Sequence, residues 1–166
     1  LVDCMPSASG RDLDKLAQIS KKSQVNIVAV TGLHHQRYYK STDAVENMES
    51  HELAKLFIDE IETAQIKCGL IKIISGGEDI SPREERLFKA AVETSKETGA
   101  PILTHCEHGV GALAQIKLLK KLNMELSRVV LSHTDKVKNL DYHRQILDSG
   151  INVEYDQSLR ELNDSE

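Results

Sequence analysis

Three side chains in this 166-residue chain stand where their types are costly and where they could do chemistry. Lys72 lies in the middle of the apolar run Gly69-Leu70-Ile71-Lys72-Ile73-Ile74. An unpaired ammonium inside a buried strand costs several kcal/mol or sheds its proton. Three roles are open to it. It could face solvent from an edge strand, form a Schiff base with a carbonyl substrate, or take up carbon dioxide and become a carbamate, an anionic metal ligand. His105 and His133 close two later runs of one form, Ile102-Leu103-Thr104-His105 and Val130-Leu131-Ser132-His133. A single histidine at a strand end is commonly structural. Two at matching positions, after a lysine inside a strand, point to a shared ion. Neutral imidazoles suit zinc and similar divalent ions, and an anionic oxygen would offset the ion's charge. Such a ligand set leaves a position open for water, whose pKa the ion lowers toward neutrality.

The elements that must hold these residues alternate. Val- and Ile-rich runs at Leu1–Cys4, Asn26–Thr31, Leu70–Ile74, Pro101–His105, Val129–His133 and Ile151–Tyr155 are too short for helices and predict strands. Between them lie helical patterns. Ser81-Pro82-Arg83-Glu84 is a capping box with proline at the first helical position, Leu87, Ala90, Ala91 and Thr94 form one face, and Gly99 supplies a stop. Residues 11–22 carry Leu13, Leu16, Ala17 and Ser20 on one side, residues 51–65 carry Leu53, Phe57, Ile61 and Ala64, and residues 111–122 carry Leu113, Ile116, Leu119 and Leu122. Leu140, Ile146 and Leu147 belong to a helix ended by Gly150, and residues 33–50 read as a polar loop. A repeated βα unit predicts a parallel sheet covered by helices. Both a doubly wound open sheet and part of a (β/α)8 barrel satisfy it, and in both the ligand site lies at the C-terminal rim of the strands. A complete barrel needs about 200 residues or more.

Composition narrows the classes. Lys+Arg total 21 against Asp+Glu 26, a net charge of −5 that argues against a nucleic-acid partner. No apolar run approaches the roughly 18 residues that would span a membrane. Three widely spaced cysteines, Cys4, Cys68 and Cys106, make no disulfide framework and suit a reducing cytoplasm. The first ten residues lack the pattern of a signal peptide. Because the chain opens directly with the strand-like Leu1-Val2-Asp3-Cys4, it is expected to be an internal piece of a longer protein, and to form one domain over residues 1–166.

Several segments carry a resemblance: Asn26-Ile27-Val28-Ala29-Val30-Thr31-Gly32, Gly69-Leu70-Ile71-Lys72-Ile73, Thr98-Gly99-Ala100-Pro101-Ile102-Leu103-Thr104-His105 and Arg128-Val129-Val130-Leu131-Ser132-His133-Thr134-Asp135, with Gly10-Arg11-Asp12 and Leu140-Asp141-Tyr142-His143 in support. In order and spacing the chain resembles the phosphotriesterase-related branch of the amidohydrolase superfamily. The resemblance implies an incomplete (β/α)8 TIM barrel, strands two to seven of eight, whose complete form holds two divalent metals, zinc foremost, at its mouth. It implies that Lys72 is carboxylated and bridges the metals, and that His105 and His133 ligate one of them. Family members hydrolyse lactones, phosphotriesters or amides with a metal-activated hydroxide, and a lactone is the expected substrate class. The family's His-x-His pair on the first strand and aspartate on the eighth do not occur here, since His34-His35 is adjacent and follows a later strand. The 166 residues are therefore expected to hydrolyse little by themselves.

Weaker signals complete the picture. His34, Arg37 and Tyr39 crowd one loop and are candidates for substrate contact, as is Arg160 beyond the last strand; the alternative is an ordinary polar loop and a solvated arginine. Glu107-His108-Gly109-Val110-Gly111 opens a helix whose amides could hold an anion. A small-molecule substrate and a homo-oligomer are expected, the latter because an incomplete barrel leaves strand edges open to another chain. Two rival readings stay open: a Schiff-base aldolase on the same barrel with Lys72 as nucleophile, and a non-catalytic binding or assembly module.

Overall fold

The strands run parallel and pair in chain order, β1 to β6 (Val2–Asp3, Val28–Gly32, Leu70–Ser75, Ile102–Cys106, Val129–Ser132, Asn152–Glu154). This computed structural model describes residues 1–7 and 9–157. Pairing in chain order decides between the two architectures. A doubly wound sheet reverses its strand order at a switch point, and here there is none, so the sheet is a curled half-barrel. No helix among the described residues is long and apolar enough to cross a membrane.

The predicted strands fall within a few residues of their observed bounds, because short β-branched runs cannot bury both faces except inside a covered parallel sheet. The crossovers are α1 (Leu13–Ser23), α3 (Ser50–Glu62), α4 (Pro82–Thr98), α5 (Ala112–Lys121) and α6 (Leu140–Leu147). Ser81 caps α4, accepting from the Glu84 amide, while the Glu84 side chain accepts from the Ser81 amide; Gly99 ends the helix in the left-handed conformation. Leu53, Phe57 and Ile61 of α3 and Leu87, Phe88 and Ala91 of α4 pack against Ile71 and Ile73 of β3 and Ile102 of β4. Each large side chain so buried contributes on the order of 1.5–3 kcal/mol.

The fold departs from the expected faces at its two ends. No residue of α1 is buried; Leu13 and Leu16 reach the margin of the core and Ala17 is exposed. The reason is its place at the sheet's edge, where β1 offers only two residues. At the other end Leu140 and Leu147 are exposed and Ile146 alone of α6 is buried. Within the stretch expected as a polar loop, Ala44–Asn47 forms a short helix, α2. It is held by the ion pair of Glu46 with Arg83 of α4 and by Val45 and Met48 against the core.

Candidate functional site

Strand alternation sets which residues face the hollow of the sheet. In a parallel pair, registered residues share a face, and successive residues alternate. Ile71 and Ile73 pack on the helices, so Lys72 and Ile74 face the concave side. Gly32 and Leu103 are registered with Lys72; His105 is registered with Ile74 and with Ser132, and Ser132 with Glu154. The lysine therefore stands one layer below His105, and His133 follows directly on the end of β5.

Lys72 is only 4% exposed, and among the described residues its amine makes no hydrogen bond or ion pair. Burial lowers its pKa from the ordinary lysine value; the Cys4, Glu154, Cys106 and Asp156 groups pull weakly the other way. The edge-strand reading of Lys72 is thereby excluded, since β3 pairs on both sides.

The His105 and His133 rings meet edge to face, with centroids 4.4 Å apart. His105 Nε2 lies 2.6 Å from Glu107 Oε2. Burial drops the His105 pKa to about 4 against the pull of Glu107, with His133 and Lys72 adding to the fall. His133 Nδ1 lies 2.7 Å from Asp156 Oδ1 and 3.2 Å from Gln157 Nε2. Burial would raise the carboxyl of Glu107, but His105, Arg37 and His108 together hold it below the ordinary value; Asp156 is held low in the same way by His133 and Gln157. His133 adopts a left-handed backbone, φ 71°, an uncommon state for a residue with a side chain. Its amide donates to the Glu154 carbonyl of β6, and its own carbonyl accepts from Lys136.

Of the loop candidates, His34 joins the cluster. Its ring centroid is 6.0 Å from that of His105, and burial, with Lys72, Arg37 and His35, lowers its pKa to about 4. Arg37 approaches Glu107 at 3.7 Å. Tyr39 is buried, and its hydroxyl donates to the Ser7 carbonyl and accepts from the His34 amide, so it braces the loop. Arg160 lies outside the described residues. The glycines expected to cradle an anion meet something else: a Cβ on Gly111 would collide with the Gly77 carbonyl oxygen. Sequence reasoning missed Glu107 and Asp156 as partners of the two histidines, and Gln115 beneath them. Gln115 is fully buried on α5; its amide donates to Ser75 Oγ at 2.6 Å and to the His105 carbonyl at 3.3 Å, and accepts from Thr104 Oγ1 at 2.8 Å. A glutamine on the inner face of a helix was the available signal.

Among the described residues no three His, Cys, Asp or Glu side chains form a metal-binding group. Two imidazoles meet at the rim, and Lys72 stands one layer below His105. An ammonium repels a cation, but burial favours the neutral amine, the form that adds carbon dioxide. Only with Lys72 carboxylated would the two imidazoles and this side chain make a donor set suited to a divalent metal.

Six parallel strands wound in chain order, with this cluster at their C-terminal rim, define the class: a (β/α)8 barrel, of which six strands are present. The chain belongs to the phosphotriesterase family, whose family profile matches residues 1–163. It is 33% identical over 152 residues to the phosphotriesterase homology protein of Escherichia coli, covering 89% of this chain and 51% of that one. With the aryldialkylphosphatase of Saccharolobus solfataricus it shares 29% identity over 155 residues, 90% of this chain and 49% of that one. The crystal structure of a lactonase from Listeria monocytogenes superposes with a TM-score of 0.88 at 28% identity, covering 96% of this chain and 54% of the other. The chain thus spans about half the length of the relatives it matches.

Proposed function

We propose that this chain carries one metal's ligand set of a metal-dependent hydrolase that opens a lactone or a related ester or phosphoester. The observation that supports this reading most is the buried Lys72, without a polar partner among the described residues, one layer below His105, whose ring lies 4.4 Å from that of His133. Lys72 as its carbamate, His105 and His133 would hold the metal, with two zinc ions in the complete enzyme. When bound, the metal supplies an acidified water and electrostatic stabilisation of the developing oxyanion. The chain's own groups do the rest. Glu107 and Asp156 orient the two imidazoles, and burial keeps His105 unprotonated at neutral pH, free to act as a ligand. His34, Arg37 and Arg160 are assigned to substrate contact, and a lactonase among the relatives favours a small lactone. Cytoplasmic residence and self-association through the β1 and β6 edges belong to the same reading.

The test is direct. The purified chain, supplied with zinc and bicarbonate, should retain metal, and ¹³C-labelled bicarbonate should give a carbamate signal that Lys72→Met removes. Lactone turnover by the 166 residues alone should be far below that of a complete enzyme. A chain that keeps no zinc, manganese, cobalt or iron overturns the proposal. Trapping of a ketone on Lys72 by borohydride would replace it with the aldolase reading.

A further inference from the structure

We infer that Glu107 is a positioning residue that fixes the orientation and tautomer of the His105 ring, so that one chosen nitrogen is left free for the ion. The inference rests on the metal-site reading above for its purpose, though not for its test.

A neutral imidazole has one N–H and one lone pair, and which nitrogen carries the proton is set by the bond the other atom makes. An ionised carboxylate can only accept. With Glu107 ionised and its Oε2 at 2.6 Å, the geometry assigns the proton to Nε2 of His105. The separation is that of a charge-assisted hydrogen bond. The lone pair then resides on Nδ1, which has no protein partner among the described residues.

The carboxylate is itself held from more than one side. Its other oxygen faces Arg37 at 3.7 Å and His108 at 4.0 Å. Arg37 belongs to the loop after β2, the same loop that brings His34 toward His105. Glu107 thus ties the end of β4 to that loop across the mouth of the sheet. Its place two positions after His105, in a tight turn with His108 at φ 54°, aims its side chain back at the ring. Outer carboxylates of this kind are worth 10–100-fold in metal affinity where they have been removed from other sites.

The experiment reads the ring directly. Long-range ¹H–¹⁵N spectra of the metal-free chain at neutral pH report which nitrogen of His105 is protonated, and chelator competition gives the zinc affinity. The wild-type chain should show His105 as the Nε2–H form alone. Glu107→Ala should introduce the Nδ1–H form and weaken zinc binding about 10–100-fold. Glu107→Gln, whose amide oxygen still accepts, should keep the single form and most of the affinity. His105 found as Nδ1–H in the wild type overturns the inference without any variant. So does Glu107→Ala that leaves both ring and affinity unchanged. If the wild type binds no zinc at all, the proposed function fails while the ring spectrum still decides the role of Glu107.

Discussion

Gly32 and Lys72 are registered partners on neighbouring strands, and a Cβ on Gly32 would collide with the Lys72 carbonyl oxygen. Gly32 also has φ 107°, a backbone state that residues with side chains rarely adopt. Gly32→Ala must therefore push β2 away from β3 at the layer that carries the lysine. The expected loss is about 2–4 kcal/mol in urea unfolding, with zinc affinity falling in step. A variant as stable as the wild type would show that the strands are not so closely apposed.

Among the described residues the buried Lys72 amine gains no hydrogen bond or ion pair in return for its desolvation. Replacing it with a methionine of similar reach removes the desolvation cost. Lys72→Met should raise the stability of the metal-free chain by about 1–3 kcal/mol while abolishing zinc binding. Thermal unfolding with and without zinc measures both effects, and a destabilised variant would contradict the burial argument.

The buried imidazoles make a prediction for acid. His34 and His105 fall from the ordinary 6.5 to about 4 in the folded chain, so between those values the unfolded chain binds more protons. Stability therefore rises with pH across this window. It should be fully present above about pH 6.5 and be lost progressively as the pH falls to about 4. Urea midpoints of the metal-free chain at a series of pH values measure this, and His105→Asn should flatten the slope. A slope of the opposite sign would mean that the rings are protonated when folded.

Gln115 joins the ends of β3 and β4 from below, through Ser75, Thr104 and the His105 carbonyl. Gln115→Leu fills the space but strands these polar groups. It should cost about 2–4 kcal/mol and loosen His105, lowering zinc affinity more than a surface substitution of equal cost. Chemical unfolding together with metal competition separates the two effects.

Much of this was legible from the chain. The cap at Ser81, the stop at Gly99 and the apolar face of α4 all stand as expected, because capping and helical periodicity are local and each residue's role is settled within a turn or two. Lys72, His105 and His133 were visible because a charge inside an apolar run, and a histidine at its end, are anomalies against a regular background. The packing of α1 was misread for a related reason. Leu13, Leu16, Ala17 and Ser20 do share a side, but a helix buries its face only as far as the sheet beneath it extends, and β1 is two residues long.

What the amino-acid order settled, then, is the alternation of strand and helix, a parallel sheet covered by helices, and the three side chains that stand out against their apolar runs. The closing of the sheet in chain order, the approach of the His105 and His133 rings, and the carboxylates beside them came from three-dimensional packing. Asp156 lies 23 positions beyond His133, yet the two touch only because β5 and β6 are neighbours. Periodicity along a chain reports which face a residue occupies; it carries no information on which strand lies alongside or where a side chain ends. Those depend on many distant contacts formed together, and they are where the chemistry of this site is decided.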